Sequence, residues 1–254
     1  MARTEQSDAR EPRPFVFRFL AAIVVPLVSV LARIRVRPGD EMPRTGAYVL
    51  APNHYTEIDP LIVAVAVWRL GRPPRFLAKE SLFRAPVLGW ALKATGMVPV
   101  ARSSSSASAK QTLQASESLV RHGRGVIVYP EGTLTRDPDM WPMRGKTGAV
   151  RLALEAGIPL IPMAHWGAQA VMARYGKKVS LWPPRKPVTV AVGAPVDLSD
   201  LQGRHMSPAV LNEATTRLMN AITVLLEELR DEKAPAERWN PSAHGQRETG
   251  RLEP

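Results

Sequence analysis

Apolar residues along this chain follow two rhythms: short unbroken runs, and longer stretches in which they return every third or fourth position. The runs at 47–51, 75–78, 126–129, 160–163 and 188–192 read as strands. Helical patterns fall between them. Residues 59–70 are largely apolar with Pro60 in the first turn, and residues 85–94 carry Val87, Leu88, Ala91 and Leu92 at helical spacing. Residues 104–122 place Leu113, Leu119 and Val120 on one side and stop at Gly123, while 145–156 stop at Gly157. The last helix opens with Ser207 as cap and Pro208 as first residue, then runs Leu211, Met219, Ile222, Leu225, Leu226 and Leu229 along one face. Strands alternating with helices predict one α/β layered domain with a mainly parallel central sheet flanked by helices. In such sheets functional groups gather in loops at strand ends.

The N-terminal pattern differs. Residues 19–32 are free of charge, contain Pro26 and follow Arg10, Arg13 and Arg18. The stretch is shorter than the roughly 20 apolar residues a spanning helix needs. A signal peptide has a similar basic front and apolar middle, but the small-residue cleavage pattern after it is poor. A core-packed helix also suits the length. The basic flanks favour an amphipathic helix over residues 14–33 lying in the membrane interface, with Phe15, Phe17 and Phe19 entering the lipid boundary. Residues 1–13 and 233–254 are polar and charged and are expected to be disordered tails, leaving 34–232 as the folded domain.

Composition narrows the chemistry. A chain of 254 residues with 45% hydrophobic content can bury one sizeable core. Its net charge of +11 draws it to anions, whether nucleic acid, lipid headgroups or phosphorylated substrates. The absence of cysteine excludes disulfides, thiolate catalysis and cysteine-ligated zinc. Recognisable nucleic-acid motifs are missing, and 6% aromatic content offers no stacking platform, so nucleic acid is not an expected partner. No G-x-S-x-G elbow marks a serine hydrolase.

Candidate chemistry sits where the runs end. After the first core run comes Ala-Pro-Asn-His-Tyr-Thr-Glu-Ile-Asp-Pro, with His54 and Asp59 five positions apart across a turn and a helix start. A carboxylate that holds one imidazole N–H leaves the other nitrogen free to take a proton. The same two residues can also be a surface His beside a helix-capping Asp. After the 126–129 run comes Tyr-Pro-Glu-Gly-Thr-Leu-Thr-Arg-Asp, then Arg144 and Lys146. Glycine permits close backbone approach, and Arg136 with Lys146 can hold phosphate oxygens, unless the segment is simply a charged, solvated loop. Lys79 and Arg102 close two further apolar runs. His165 follows another run beside Trp166 and reads as a packed or solvent-facing histidine, so it is left out of the site.

Taken together these blocks resemble the glycerolipid acyltransferase family, specifically its 1-acylglycerol-3-phosphate acyltransferases, over about residues 36–195. Asn53-His54 through Asp59 is similar to the family's first block and Gly96 through Arg102 to its second. Pro130-Glu131-Gly132-Thr133 through Arg136 is similar to the third, and the proline-flanked strand 158–162 to the fourth. The resemblance implies His54 as base and Asp59 as its orienting partner. It places acceptor binding on Arg102, Glu131, Gly132, Thr133 and Arg136, joined here by Lys79 and Lys146. It further implies a fatty acyl transfer from acyl-CoA or acyl-carrier protein to the free hydroxyl of 1-acylglycerol-3-phosphate, giving phosphatidic acid in phospholipid biosynthesis. No metal or cofactor is implied, and the partners are a lysophospholipid acceptor, an acyl-CoA donor and an anionic membrane surface. The expected location is the cytoplasmic face of the cell membrane, as a peripheral or monotopic protein.

One departure stands out: the family usually has Arg directly after Glu-Gly-Thr, and this chain has Leu134. Another lysophospholipid or a glycolipid acceptor is therefore an alternative, and a non-catalytic basic membrane-binding protein is the alternative of a different class.

Overall fold

The computed structural model describes residues 11–40, 42–79, 83–100 and 117–247. The chain opens with α1 (Phe15–Leu31), which passes straight into β1 (Ala32–Val36). Next come β2 (Tyr48–Pro52), α2 (Asp59–Arg69), β3 (Leu77–Lys79), α3 (Pro86–Ala94), β4 (Val98–Val100) and β5 (Gly125–Ile127). The chain continues through α4 (Gly148–Ala156), β6 (Leu160–Trp166), β7 (Lys186–Val192) and α5 (Pro208–Arg230).

Five strands form one sheet in the order β1-β7-β6-β2-β5, parallel except for the β6–β7 pair. Strands β3 and β4 make a parallel pair, and a parallel bridge from Phe76 to Ile127 joins it to the β5 edge. The sheet is covered on both faces, and β2 shows why. Tyr48 and Leu50 join the apolar layer under α1 and α2 with Ile62, Ile161 and Val190, while Val49 and Ala51 join the layer under α4 and α5 with Leu160, Leu218 and Ile222. A strand buried on both faces reads as a continuous apolar run, not an alternation. Helix ends obey local rules. Ser207 accepts from the Val210 N–H at 3.3 Å with Pro208 behind it, and α4 stops at Gly157 in the left-handed conformation.

Three differences from the sequence reading have physical reasons. The N-terminal helix ends at Leu31, and residues 32–36 form an edge strand paired in parallel with β7. Ala32 and Ile34 are buried while Arg33 and Arg35 are exposed, an alternation of period two that a helix cannot satisfy. The chain is also ordered before Pro14, because Glu11 is buried against the guanidinium groups of Arg72, at 3.0 Å, and Arg75. At the other end, residues 233–247 fold back on the domain. The Arg144 N–H donates to the Trp239 carbonyl at 3.1 Å, the Trp239 indole N–H donates to Gln246 at 3.1 Å, and Pro241 is buried. Of the helix expected over 104–122, residues 117–121 are helical and 104–116 lie outside the described residues.

Candidate active site

The site is built at the end of β2. Beyond Pro52 the ladder with β6 is extended by a side chain: Asn53 donates to the His165 carbonyl at 3.1 Å and accepts from the His165 N–H at 2.9 Å. The chain then turns into α2, whose first residue is Asp59, fully buried. One Asp59 oxygen accepts from Tyr55 N–H at 2.7 Å, from Thr56 N–H at 2.8 Å and from His54 Nδ1 at 3.0 Å, and the other accepts from the Thr56 hydroxyl. Burial works against a charge on Asp59, but the neighbouring His165 ring and the hydrogen bonds from His54 and Thr56 outweigh it and hold the carboxyl below its ordinary range. An ionised carboxylate can only accept, so the His54 proton belongs on Nδ1 and Nε2 carries the lone pair.

The imidazole of His54 is 16% exposed, and its ring stacks on Tyr129 with centroids 4.1 Å apart. Its backbone is held from both sides by the second motif. The His54 N–H donates to Glu131 at 3.0 Å, and the His54 carbonyl accepts from Thr135 N–H at 2.7 Å. Glu131 also accepts from the Met143 N–H at 3.1 Å, and burial pushes its carboxyl up to about 8. Glu131, expected from the sequence among the acceptor-binding residues, is turned inward between the two motif loops. At 1% exposure its oxygens bond two backbone N–H groups, and its role is to join the two motif loops.

The cations are distributed unevenly. Gly132, at φ +69°, carries Lys146 over it: a Cβ there would sit 3.2 Å from Lys146 Cδ, and the Lys146 N–H donates to the Pro130 carbonyl at 2.7 Å. Thr133 is half-buried on the same turn and Leu134 is buried. Arg136 is buried beside the Tyr175 hydroxyl, to which it donates at 3.4 Å. Lys79 closes β3, and Arg102 lies outside the described residues.

Several residues entered the site only through the fold. His165 is fully buried, with Nε2 3.2 Å from the Asn53 carbonyl and 3.8 Å from the same Asp59 oxygen that holds His54. Its Nδ1 has no hydrogen-bond partner, and burial holds its pKa below the ordinary histidine value. Arg174 donates to the carbonyls of Thr135 at 3.3 Å, of Pro138 at 3.4 Å and of Asp137, clamping the loop that holds His54. The residue order of the β6–β7 connection carried no signal for Arg174 or Tyr175, whereas His165 at a strand end was visible and set aside.

An apolar cavity of about 330 Å³ lies between α1, α2 and α3, lined among others by Phe17, Val24, Leu61, Trp68, Phe76 and Met97. Phe76 stacks on Tyr129 at 6.2 Å, so two aromatic rings link the cavity wall to His54. Among the described residues no group of three or more His, Asp or Glu side chains is placed to hold a metal ion. What the arrangement offers is a base oriented by a buried carboxylate next to an apolar pocket.

A family model described as Acyltransferase matches residues 33–166, just over half of the chain, a span that contains the whole His54, Asp59 and Glu131 constellation. The chain belongs to the acyltransferase family. It is 32% identical over 124 residues to a chloroplastic 1-acyl-sn-glycerol-3-phosphate acyltransferase of Brassica napus, covering 49% of this chain and 34% of that protein. A Streptococcus pneumoniae protein of the same description is 26% identical over 231 residues, covering 88% of this chain and 79% of that one. The chain spans a third to just over half the length of three curated relatives it matches, at 34%, 47% and 55%. The crystal structure of the 1-acyl-sn-glycerophosphate acyltransferase of Thermotoga maritima shares the fold, with a TM-score of 0.56 and 21% identity over 87% of this chain and 80% of that one.

Proposed function

We propose that this chain transfers a fatty acyl group from a thioester donor, acyl-CoA or acyl-carrier protein, to the free hydroxyl of 1-acylglycerol-3-phosphate, giving phosphatidic acid. The observation that carries the reading is the bond from His54 Nδ1 to the buried Asp59 carboxylate, which leaves Nε2 as the base. The relatives' names supply the acceptor. In the step itself, Nε2 takes the acceptor's hydroxyl proton as that oxygen attacks the thioester carbonyl. The new C–O bond forms, the C–S bond breaks, and the proton passes from His54 to the leaving thiolate. Asp59 stabilises the imidazolium in between.

The other features take supporting roles in this reading. The acyl chain occupies the apolar cavity beyond Tyr129 and Phe76, and Lys146 over Gly132 faces the acceptor phosphate together with Arg136. The protein sits on the cytoplasmic face of the membrane through α1, whose Phe15, Phe19, Ile23, Leu27 and Val30 form one exposed apolar stripe. No helix among the described residues is long and apolar enough to cross a membrane, which suits a helix lying in the interface.

The test is thiol release from palmitoyl-CoA with and without lysophosphatidic acid, with the lipid product identified by mass. Acceptor-dependent formation of phosphatidic acid is expected, with His54→Ala lowering kcat by about 10³-fold or more. Buried Leu134 in place of the family's usual Arg favours a second outcome: turnover with a different lysolipid would keep the chemistry and change the acceptor.

A further inference from the structure

The connection from β6 to β7 ends in a tip that the reaction does not use. Leu181 is 71% and Trp182 83% exposed, and Trp182 is the most exposed of the large apolar side chains described. Isolated surface apolar residues are ordinary and need no explanation. This tip differs because the fold holds it outward. Lys186 is buried and its ammonium donates to the carbonyls of Ser180 at 2.8 Å and Pro183 at 2.6 Å, while the Ser180 hydroxyl donates to the Trp182 carbonyl at 3.0 Å. The base of the loop is tied by Ser180 N–H to the Val171 carbonyl at 2.8 Å. The tip is also tied to α1: the Arg185 N–H donates to the Val30 carbonyl at 2.8 Å, beside the exposed Leu27 and Val30.

Charge decides what such a tip fits. Residues 176–186 contain Lys177, Lys178, Arg185 and Lys186 and no acidic residue, and the first three are exposed. An exposed tryptophan on a loop that also carries exposed cations suits the boundary of an anionic bilayer, where the ring sits at headgroup depth and the cations meet lipid phosphates.

We propose that the 177–185 tip is a second membrane-contact element, with Leu181 and Trp182 entering the interface and Lys177, Lys178 and Arg185 binding anionic headgroups. It rests on the proposed seating of α1 in the membrane, whose exposed stripe it extends past Val30. The same connection carries Arg174 and Tyr175, which hold the 135–138 loop and Arg136.

The experiment is co-sedimentation of the full chain with vesicles of phosphatidylcholine alone and of phosphatidylcholine mixed with phosphatidylglycerol. The variants are Leu181→Ala/Trp182→Ala, Lys177→Glu/Lys178→Glu/Arg185→Glu and, for α1, Phe19→Asp/Ile23→Asp. The apolar tip variant is expected to bind both vesicles about tenfold more weakly. The charge variant is expected to lose the preference for anionic vesicles and its salt dependence. Brominated lipid should quench the wild-type fluorescence more than that of Trp182→Phe, which assigns the depth to this ring. Wild-type binding by both tip variants while the α1 variant is weakened overturns the tip and leaves the α1 seating intact. Wild-type binding by all three overturns both. A dimer that Trp182→Ala converts to monomer, with vesicle binding unchanged, also overturns the proposal and makes the tip a contact between copies.

Discussion

Around His54 the protein keeps one charge and two neutral acids or bases. Asp59 is held ionised, whereas Glu131, at about 8, and His165, below the ordinary histidine value, are both predominantly neutral at pH 7. The only negative charge among these three is therefore the one bonded to the base. For Glu131 this has a pH signature. Its folded value lies above its unfolded value near 4.5, so between those values the folded state holds a proton that the unfolded state lacks, and stability falls as pH rises through 8. Glu131→Gln does not titrate. It is expected to be about 1–3 kcal/mol less stable than wild type at pH 5, where one backbone N–H loses its acceptor. The difference in Tm between variant and wild type should move in the variant's favour from pH 5 to pH 8.5, as thermal melts across that range will read. His165 acts through Asn53 and Asp59, as a positioning residue. Replacing it with Phe keeps a ring against Tyr55 but removes the N–H facing the Asn53 carbonyl. The expected result is about a tenfold drop in kcat with KM unchanged, largely restored by His165→Gln, whose amide keeps a donor.

At the scale of elements, α1 and α2 do more than cover the sheet, because their facing sides line the apolar cavity. Ala64 lies on that lining. Ala64→Phe is expected to lower kcat/KM for palmitoyl-CoA at least tenfold relative to decanoyl-CoA, read by donor competition, since filling a preformed apolar pocket penalises long chains first. Equal losses for both donors would remove the cavity from the acyl path. The central strands and α2, α3, α4 and α5 were legible in the sequence because each carries a full period of its pattern, with a local stop or cap such as Gly157 for α4 or Ser207-Pro208 for α5. Strand β1 was not, because its apolar residues continue those of α1 and only the alternation of Arg33 and Arg35 separates them. The His54 and Asp59 pair was legible because both partners lie within one turn of chain. The roles of Glu131, His165 and Arg174 were not, since each depends on which loop a strand end meets across the sheet.

At the scale of the whole molecule, α1 is pinned to the domain at both ends, so its exposed apolar stripe and the candidate site move as one body. At its C-terminal end Arg69 donates to Ser29 at 2.9 Å and to the Ile34 carbonyl at 3.0 Å, and the Arg185 N–H holds Val30. At its N-terminal end the link is ionic. Glu11 pairs with both Arg72 and Arg75, and the Arg75 guanidinium lies 5.0 Å from the ring centre of Phe17, a buried side chain of α1. Arg72 meanwhile donates to the carbonyls of Pro43 and Gly46 at 2.8 Å and of Gly123 at 3.0 Å, so it cannot leave its pocket without releasing three carbonyls on two chain segments. Removing the anion therefore strands two buried cations in place, a change that destabilises proteins by about 3–5 kcal/mol. For a chain of this size that corresponds to a fall in Tm of roughly 10 °C. Glu11→Ala should show that fall in calorimetry. Glu11→Gln, which keeps the shape and one acceptor but not the charge, should show much of it. If the two arginines are instead satisfied by water once Glu11 is gone, both variants will melt within about 2 °C of wild type. In that case the ionic link adds nothing to what the apolar inner face of α1 and the hydrogen bonds at its C-terminal end already supply.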